Sequence, residues 1–508
     1  SLASSAAARK ATAMDVTTID FFALMPELAL LGTALLVLLV ELFLSGRRKQ
    51  LVNPLSIGGV IGSLVWVIAL AVDGTQRRAF GNMFVVDNYA LLFKAFFLLT
   101  ALFVLFLSYR YFAEIRTYQG EYYFLLLSAF VGMLLMPSAR DLVMIFIALE
   151  LVSVPGFVMA GLRKFDLRSN EGALKFFLFG VLSVAVLLFG LSIVYGFTGT
   201  TDLVGVAEGL AALGPDNREP LLLASMLFVI VGFGFKISAV PFHFWAPDTY
   251  EGSPIPVTAF LSVASKAAGF AGLLQVCFVA FEPLADVWAP ILGGVAVLTM
   301  TLGNLTALQQ RNIVRLFAYS SVAQAGYMLV PFALVQPGNA AVNGVAFSAV
   351  MLYLLAYAVM NIGAFACVVA VARQRPGRQI ADYAGMGTHS PGLAFGMTLF
   401  LLSLAGVLPI VIGFYAKLYI LRPVVIDPTF GGLVLASAVV INSLIGLYYY
   451  LIVAKTMWMD EATVTDKVRP GLALNTAIAV LAVAVLAVGV YPQAFAGFAE
   501  ISTLVAAP

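Results

Sequence analysis

The feature that most constrains this chain is a series of apolar runs, each long enough to cross a bilayer, which takes about 20 residues. We count fourteen such runs, separated mostly by Gly, Pro and Asn. They cover residues 26–44, 53–72, 88–112, 121–137, 140–161, 171–197, 219–241, 254–281, 288–309, 312–335, 343–373, 391–422, 430–458 and 471–495. Lipid permits only helices and closed barrels, and these runs are too long for barrel strands. The sequence therefore predicts an all-α polytopic membrane protein with about 14 transmembrane helices, which we call spans 1 to 14.

The distribution of charge supports this count. Only 11% of the residues are charged, against roughly 25% in soluble domains. The loops after odd-numbered spans contain 16 of the 28 Lys and Arg residues, and those after even-numbered spans contain five. Because basic loops stay on the cytoplasmic or matrix side, the odd loops face this inner side and both termini face the outer side.

The N-terminal tail, residues 1–20, bears on the source membrane. Its first 14 residues are rich in Ser and Ala, contain Arg9 and Lys10, and have no acid. This composition is typical of the remnant of a mitochondrial transit peptide. It slightly favours the mitochondrial inner membrane over a bacterial plasma membrane, where the protein would start at Met14 with an upstream extension.

Residues that could hold a cofactor are scarce. Cys277 and Cys367 both lie in apolar runs, where cysteine acts as a small core residue. His243 and His389 have no metal-ligand spacing, and the sequence has no CxxC, HExxH or P-loop motif. We therefore expect no redox cofactor, metal or nucleotide in this chain, and no nucleic-acid partner.

Charged residues inside the apolar runs are the strongest functional signal. They are Lys94, Glu150, Lys175, Lys236, Lys266 and Lys417. A charge at mid-membrane costs roughly 2.5–3.5 kcal/mol on insertion scales and usually serves transport. Lys94 is near a helix end, so snorkelling to the interface is favoured for it. For Lys175, in a first turn, position alone leaves both interpretations open. Glu27 and Glu41 lie near the two ends of span 1, where we expect water.

Lysine suits proton transfer in such a place. Burial weakens the hold of a lysine on its proton, and a nearby carboxylate strengthens it again. Glu150 is the acid that could act this way on one of the lysines. A row of such groups joined by water would relay protons across the bilayer. The alternative, a buried Lys–Glu pair that only fixes packing, contributes little to stability.

Two spans carry helix breakers beside a lysine. Pro241 follows Lys236 in span 7, within FKISAVPFHFW, and Pro409 precedes Lys417 in span 12, within SLAGVLPIVIGFYAKLYI. Non-helical backbone in a membrane is tolerated only in protein or beside a watery cavity. Breaks five helices apart predict two inverted repeats around a transport path, spans 4–8 and 9–13. The predicted units are peripheral helices 1–3 (21–120), the first repeat (121–285), the second repeat (286–460) and helix 14 (461–508).

The chain resembles the antiporter-like N subunit family of respiratory complex I, the proton-pumping NADH:quinone oxidoreductase, over roughly residues 21–495. The motifs that carry the resemblance are FIALELVSV, RSNEGALKFFLFG, FGFKISAVPFHFWAPDTYEGSPIPVTAFLSVASKAAG, RLFAYSSVAQAGYMLV, MNIGAFACV and SLAGVLPIVIGFYAKLYI. The family implies fourteen helices, inverted repeats, broken helices 7 and 12, and a central hydrophilic axis.

The resemblance also implies roles for individual residues. Glu150 is similar to the family's span-5 glutamate and Lys236 to the span-7 lysine paired with it. Lys175 and Lys266 are similar to connecting lysines, and Lys417 to the span-12 lysine toward the exit side. His243, near the inner end of span 7, either feeds protons in or only caps the interface, and the second is favoured.

Two positions depart from the family pattern. Leu408 stands where the family usually has a first proline in span 12, so a milder or shifted break is expected. Gln324 stands where many relatives have a histidine, as in the plastid-type branch. Glutamine forms hydrogen bonds but does not titrate, which puts a proton step at this position in doubt.

The resemblance predicts a proton-translocating membrane-arm subunit of complex I. FMN, iron–sulfur clusters and quinone would then lie in partner subunits, and an M-type antiporter-like subunit and a small K-type subunit would be neighbours in an inner membrane. Alternatives are a Mrp-type cation/proton antiporter subunit, the equivalent subunit of a plastid-type ferredoxin:plastoquinone complex, and a scaffold whose ionisable residues are relics.

Overall fold

The computed structural model describes residues 20–115, 119–214, 219–375, 377–462, 466–493 and 496–497. All but the last residue of the predicted N-terminal tail lies outside them. Within the described residues, 13 helices are long and apolar enough to cross a membrane. The remaining predicted span, span 12, is present but divided into shorter helices. The prediction of an all-α polytopic membrane protein with about 14 transmembrane helices is confirmed; the residue boundaries of the four units stay a prediction.

The first seven spans begin and end close to the predicted edges. Spans 1 to 6 are Phe21–Phe43, Val52–Asp73, Asn88–Ile115, Gln119–Leu135, Leu142–Ala160 and Leu167–Thr198. Span 7 is Pro220–Ile237, and after a break the chain resumes as the short helix Trp245–Gly252. A further short helix, Leu203–Leu213, and 3₁₀ turns at Gly46–Leu51 and Met136–Ser138 connect these spans.

The second half of the chain continues in the same manner. Span 8 runs through Ile255–Phe260, a π turn at Leu261–Ser265, Lys266–Gln275 and a second π turn at Val276–Ala280. Spans 9 to 11 are Ala285–Ala307, Ile313–Leu329 and Ala340–Ala372. Span 12 comprises Pro391–Ala405 and Ile412–Ile420, and spans 13 and 14 are Phe430–Met459 and Leu472–Val490. Connecting turns are Glu282–Leu284, Phe332–Leu334, Ile380–Tyr383, Met386–His389 and Arg422–Ile426.

Short polar residues fix where several spans begin. The Asp141 carboxylate accepts hydrogen bonds from the backbone N–H groups of Val143 and Met144 at the start of span 5. Asn312 caps span 10 in the same way. Such side chains satisfy N–H groups that the first helical turn leaves unpaired. These capping residues define the first residue of a helix more precisely than the edge of an apolar run does.

A small β-hairpin interrupts the helices in the loop between spans 2 and 3. Strands β1 (Arg77–Ala79) and β2 (Phe84–Val86) are antiparallel, with Arg78 opposite Val85. The sequence analysis did not predict this hairpin, because three-residue strands are too short to leave an alternating pattern. Its second strand leads directly into span 3.

The centre of the subunit is formed by spans 8, 10 and 11. In each of them 89% of the most apolar stretch is buried within the protein, against 33% in spans 1, 6, 13 and 14. Spans 7 and 12 pack against this centre, and each is the fourth helix of its predicted repeat. Both broken helices are therefore in contact with the buried middle of the protein.

Candidate functional site

Lys236 lies at the break in span 7. The helix ends at Ile237, and Ser238 takes a left-handed backbone conformation with φ 60°. The carbonyl of Phe235 accepts from the backbone N–H of Ser238 at 3.0 Å and from the indole N–H of Trp245 at 3.2 Å. The Lys236 side chain, only 3% exposed, is in the last turn before the break. Pro241 thus lies beyond the end of the helix, as a proline that cannot continue a helix should.

A serine stands between Lys236 and the glutamate expected to pair with it. The Nζ of Lys236 donates to the Ser153 Oγ at 2.9 Å. Ser153 is one turn from Glu150 on span 5, so both side chains are on the same side of that helix. Glu150 is half-buried, and its Oε1 atom has no hydrogen-bond partner. The two charged groups are therefore neighbours without a direct ion pair.

Lys266 is held by span 10. Its side chain is 1% exposed, and its Nζ donates to the backbone carbonyl of Ser321 at 2.6 Å. The π turn just before Lys266 is a local widening of the helix, a feature frequent at functional sites. One turn further on, a Cβ at Gly269 would lie 2.9 Å from the Lys236 Cγ. Span 8 thus passes directly against the stem of Lys236.

Lys417 lies at the break in span 12. The first half ends at Ala405, and residues 406–411 are not helical. Leu408 predicted a milder or shifted break, and the structure has a complete break rather than a milder one. The Nζ of Lys417 donates to the carbonyl of Ala405 at 2.5 Å and to the Ser443 Oγ at 2.9 Å. It also lies 4.4 Å from the ring centre of Tyr327. Pro409 is inside the non-helical stretch, as predicted for a breaker.

Span 10 connects the two ends of this row. Ser321, Gln324 and Tyr327 recur every three residues, so they follow one side of the helix. The backbone carbonyl of Ser321 accepts from Lys266, and the Tyr327 ring lies against Lys417. Between them, the Gln324 amide donates to the Leu404 carbonyl at 3.0 Å and accepts from the Tyr353 hydroxyl at 2.6 Å. The sequence analysis had considered only Gln324 of these three.

Further polar atoms along this row have spare hydrogen-bonding capacity. Several buried side-chain atoms near span 10 and the two breaks have no partner among the described residues, among them Ser238 Oγ, Tyr250 Oη, Ser321 Oγ, Tyr357 Oη and Asn361 Oδ1. Buried polar groups normally find partners, in protein or in ordered water. We call the row from Glu150 through Lys236, Lys266 and Gln324 to Lys417 the buried axis.

Lys175 is outside the buried axis. Its side chain is 38% exposed and lies 2.6 Å from both Glu171 and Asp248. Asp248, on the short helix after the span 7 break, also pairs with Arg315 of span 10 at 2.7 Å. Burial would raise the pKa of Asp248, but hydrogen bonds from Lys175 and Arg315 outweigh it and hold the pKa below its ordinary value.

His243 occupies the break in span 7. Burial lowers its pKa, so the imidazole is neutral at pH 7, and its Nδ1 atom has no hydrogen-bond partner. Nearby, Trp245 stacks on Phe176 with ring centres 4.2 Å apart and packs against Phe235 at 5.3 Å. Phe176 and Phe235 are next to Lys175 and Lys236 in the sequence, and these two lysines do not contact each other.

A buried ion pair escaped the sequence analysis. The Glu27 Oε1 lies 2.7 Å from the Lys94 Nζ, and their side chains are 5% and 0% exposed. The expectation that Lys94 snorkels, and that Glu27 meets water, is therefore wrong. The signal that could have found the pair is position, since each is the seventh residue of a helix that begins on the outer side.

No redox or metal site is evident among the residues that the structure describes. Among the described residues, no three His, Cys, Asp or Glu side chains come together as a metal site would require. Cys277 and Cys367 are both free and buried. The absence of a cofactor in this chain stays a prediction. The geometry of the buried axis instead suits groups that carry protons.

Comparisons with known proteins identify the family. The family model described as NADH:quinone oxidoreductase/Mrp antiporter, TM, matches residues 139–446. The NADH-quinone oxidoreductase subunit N of Trichlorobacter lovleyi is 40% identical, over 95% of this chain and 97% of that protein. Subunit N of Brevibacillus brevis is 37% identical, over 96% of each.

Solved structures share the fold. A chain of respiratory complex I from Thermus thermophilus, with bound aureothin, has a TM-score of 0.76 and 30% identity, and covers 94% of this chain and 100% of that one. A chain of the Mrp complex from Dietzia sp. has a TM-score of 0.78 at 20% identity, over 95% of this chain and 97% of that one, a likeness of fold alone.

Proposed function

Because the chain belongs to the NADH:quinone oxidoreductase/Mrp antiporter family of membrane subunits, we propose that it carries protons along its buried axis as subunit N of a proton-pumping complex I. In this role it is part of an NADH:quinone reductase whose electron transfer takes place in other subunits. The observation that carries the proposal is the buried axis itself: three lysines on spans 7, 8 and 12, none more than 7% exposed.

We propose the following order for the proton path. Glu150 sets the charge near Lys236 through Ser153, without clamping the ammonium in a direct ion pair. From Lys236 the path crosses to Lys266 on span 8. Ser321, Gln324 and Tyr327 of span 10 then bridge to Lys417. Gln324 does not titrate, so its role is to orient hydrogen bonds, and the proton passes it by way of water.

The inner side supplies protons near the first break. Lys175 belongs to the charged surface cluster with Glu171, Asp248 and Arg315, where it attracts and exchanges protons but does not contact the axis. His243, neutral and with Nδ1 free, is the accessory group closest to the break. We propose that both act at the entrance and that Lys417 is on the exit side.

Partner subunits complete the complex. We propose that FMN, iron–sulfur clusters and quinone are bound there, with an M-type antiporter-like subunit and a small K-type subunit as membrane neighbours. The Mrp-type antiporter is the second candidate, since its complex shares the fold. Purification of the native complex separates the two: flavin and iron–sulfur subunits accompany this chain in complex I, and their absence favours an antiporter.

The spans place the chain in a membrane. The subunit N relatives described above are bacterial, which favours a bacterial plasma membrane, whereas the first 14 residues favour the mitochondrial inner membrane. Immunoblotting of this chain in membranes fractionated from its source cells decides between the two. Its presence in purified mitochondria supports the mitochondrial assignment, and its presence in the plasma membrane of cells without mitochondria supports the bacterial one.

The central test is Lys236→Met in the whole reconstituted complex, with proton uptake and quinone reduction measured together. Methionine keeps the stem and removes the charge. The matched control is Lys455→Met, since Lys455 is 65% exposed at the inner end of span 13. We expect the Lys236 variant to assemble and to lose both rates or protons per electron, while the control keeps them. Unchanged pumping in the Lys236 variant would refute the axis.

A further inference from the structure

The ion pair between Glu27 and Lys94 lies outside the buried axis, in the peripheral helices. It joins span 1 to span 3 about two turns in from the outer ends of both helices, roughly 9 Å at 1.5 Å per residue. Neither side chain is more than 5% exposed. The pair therefore reaches neither lipid headgroups nor bulk water, and nothing in the proposed path uses it.

Hydrogen bonding of this pair is incomplete. Glu27 Oε1, Glu27 Oε2 and Lys94 Nζ all lack a partner with hydrogen-bond geometry, although Oε1 and Nζ are 2.7 Å apart. The Phe84 ring also faces the ammonium, with its centre 4.7 Å away. A buried ion pair stabilises a fold only when further hydrogen bonds satisfy its remaining atoms. A role in packing alone therefore explains the Glu27–Lys94 ion pair poorly.

A neighbouring pair shows what a structural ion pair looks like here. Arg140 contacts Asp87 at 2.5 Å and also donates to Gln275 and to the carbonyls of Pro137 and Ala139. Asp87 accepts a further bond from the backbone N–H of Ala90. Arginine does not release its proton in proteins. This pair is saturated and fixed in charge, whereas the Glu27–Lys94 pair is neither.

We propose that Glu27 and Lys94 form a second proton-exchanging site on the outer half of the subunit. Moving one proton from Nζ to Oε1 converts ammonium and carboxylate into amine and carboxylic acid, with no change in net charge. Uptake of one more proton then gives an ammonium beside a carboxylic acid. Because few other bonds hold either group, the pair changes between these states without rearranging a network.

This proposal rests on the proposed function, and its test uses the whole complex in proteoliposomes. The key variant is Glu27→Gln with Lys94→Met, which removes both charges and leaves none unpaired. We expect it to assemble with a thermal midpoint close to the parent's and to pump fewer protons per electron. Loss of a carboxylic-acid band from redox-induced infrared difference spectra is the second expected result. The control is Lys455→Met with Asp460→Asn, a surface contact of 3.9 Å.

Lys94→Arg separates charge from proton release. It keeps the positive partner of Glu27 but holds its proton, so we expect assembly with the same loss of pumping. A double variant that keeps the parent's protons per electron and infrared spectrum would overturn the proposal and leave a packing pair. If Lys236→Met in the same preparation still loses pumping, the buried axis stands. If both Lys236→Met and the Glu27→Gln, Lys94→Met double variant pump like the parent, the proposed function itself has failed.

Discussion

Lys417 donates a hydrogen bond at 2.5 Å to the carbonyl oxygen of Ala405, the last residue of the first half of span 12. An unbroken helix would give this carbonyl to an N–H four residues later. The break therefore creates the acceptor that holds the lysine.

Gly406 is the residue that allows this arrangement. Its φ is 63°, and an added Cβ would lie 2.8 Å from the Gly413 carbonyl and 2.9 Å from the Lys417 Cδ. We expect Gly406→Ala to cost roughly 1–2 kcal/mol for the left-handed backbone alone, to displace Lys417, and to lower both thermal midpoint and pumping. Gly392→Ala in the same span, where nothing lies within 4 Å, should do neither. Equal midpoints for the two variants would contradict this account.

Ser153 is expected to tune Lys236. Its hydroxyl donates to the Leu149 carbonyl at 2.7 Å, so a lone pair is left to accept from Lys236. Hydrogen bonds to charged groups contribute about 1.5–3 kcal/mol. We expect Ser153→Ala to slow proton uptake in the assembled complex and Ser153→Thr to keep it. Ser192→Ala, an exposed serine on span 6, is the control, and a Ser153→Ala variant that pumps like it would show the bond to be incidental.

Gln324 is expected to matter for hydrogen bonding and not for titration. Gln324→Leu would leave the Tyr353 hydroxyl and the Leu404 carbonyl buried without partners, at about 1–3 kcal/mol each. We expect a lower thermal midpoint and slower pumping, both recovered in part by Gln324→His, which can donate and accept. The exposed Gln309→Leu serves as control. Normal pumping by Gln324→Leu would remove span 10 from the path.

The contribution of Asp248 to the stability of the protein depends on pH. Its pKa in the folded protein is below the ordinary 3.8. Its contribution to stability is therefore complete above that value and is lost as the pH falls through the lower, folded value. Two partly exposed ion pairs contribute about 1 kcal/mol together.

Melting curves recorded from neutral to acidic pH test this contribution. We expect Asp248→Asn to lower the midpoint slightly at neutral pH and to converge with the parent in acid. Asp460→Asn should run parallel to the parent throughout. A constant offset between Asp248→Asn and the parent down to low pH would show that its charge is not involved.

The spans and both breaks could be predicted because lipid imposes strict rules on length and backbone pairing. Pro241 and Gly406 end or break the helix at or near their own positions, so their effect can be predicted from the sequence. Which distant helices pack together cannot be predicted in this way. The Glu27–Lys94 contact joins residues 67 positions apart. Their equal distance from the helix starts is consistent with a pair, but neither segment specifies that span 1 packs against span 3.

The same reasoning explains the other differences within the site. The resemblance implied that Glu150 and Lys236 form a pair. In the structure Lys236 contacts Ser153, a serine of the same motif as Glu150, because side-chain direction depends on how spans 5 and 7 are rotated. Lys175 was expected in the axis, yet it meets Asp248 at the surface, because the short helix after the break carries that carboxylate to it. The proton roles of these residues stay predictions.

Backbone carbonyls hold two lysines of the axis, Lys266 at Ser321 and Lys417 at Ala405. A carbonyl oxygen has no charge to lose and no proton to give. A lysine that has discharged its proton still has two N–H bonds, so it keeps the same anchor in either state. These two lysines can therefore release and take up a proton while they keep their hydrogen bonds to the protein. No opposite charge is left unpaired in the membrane when they do.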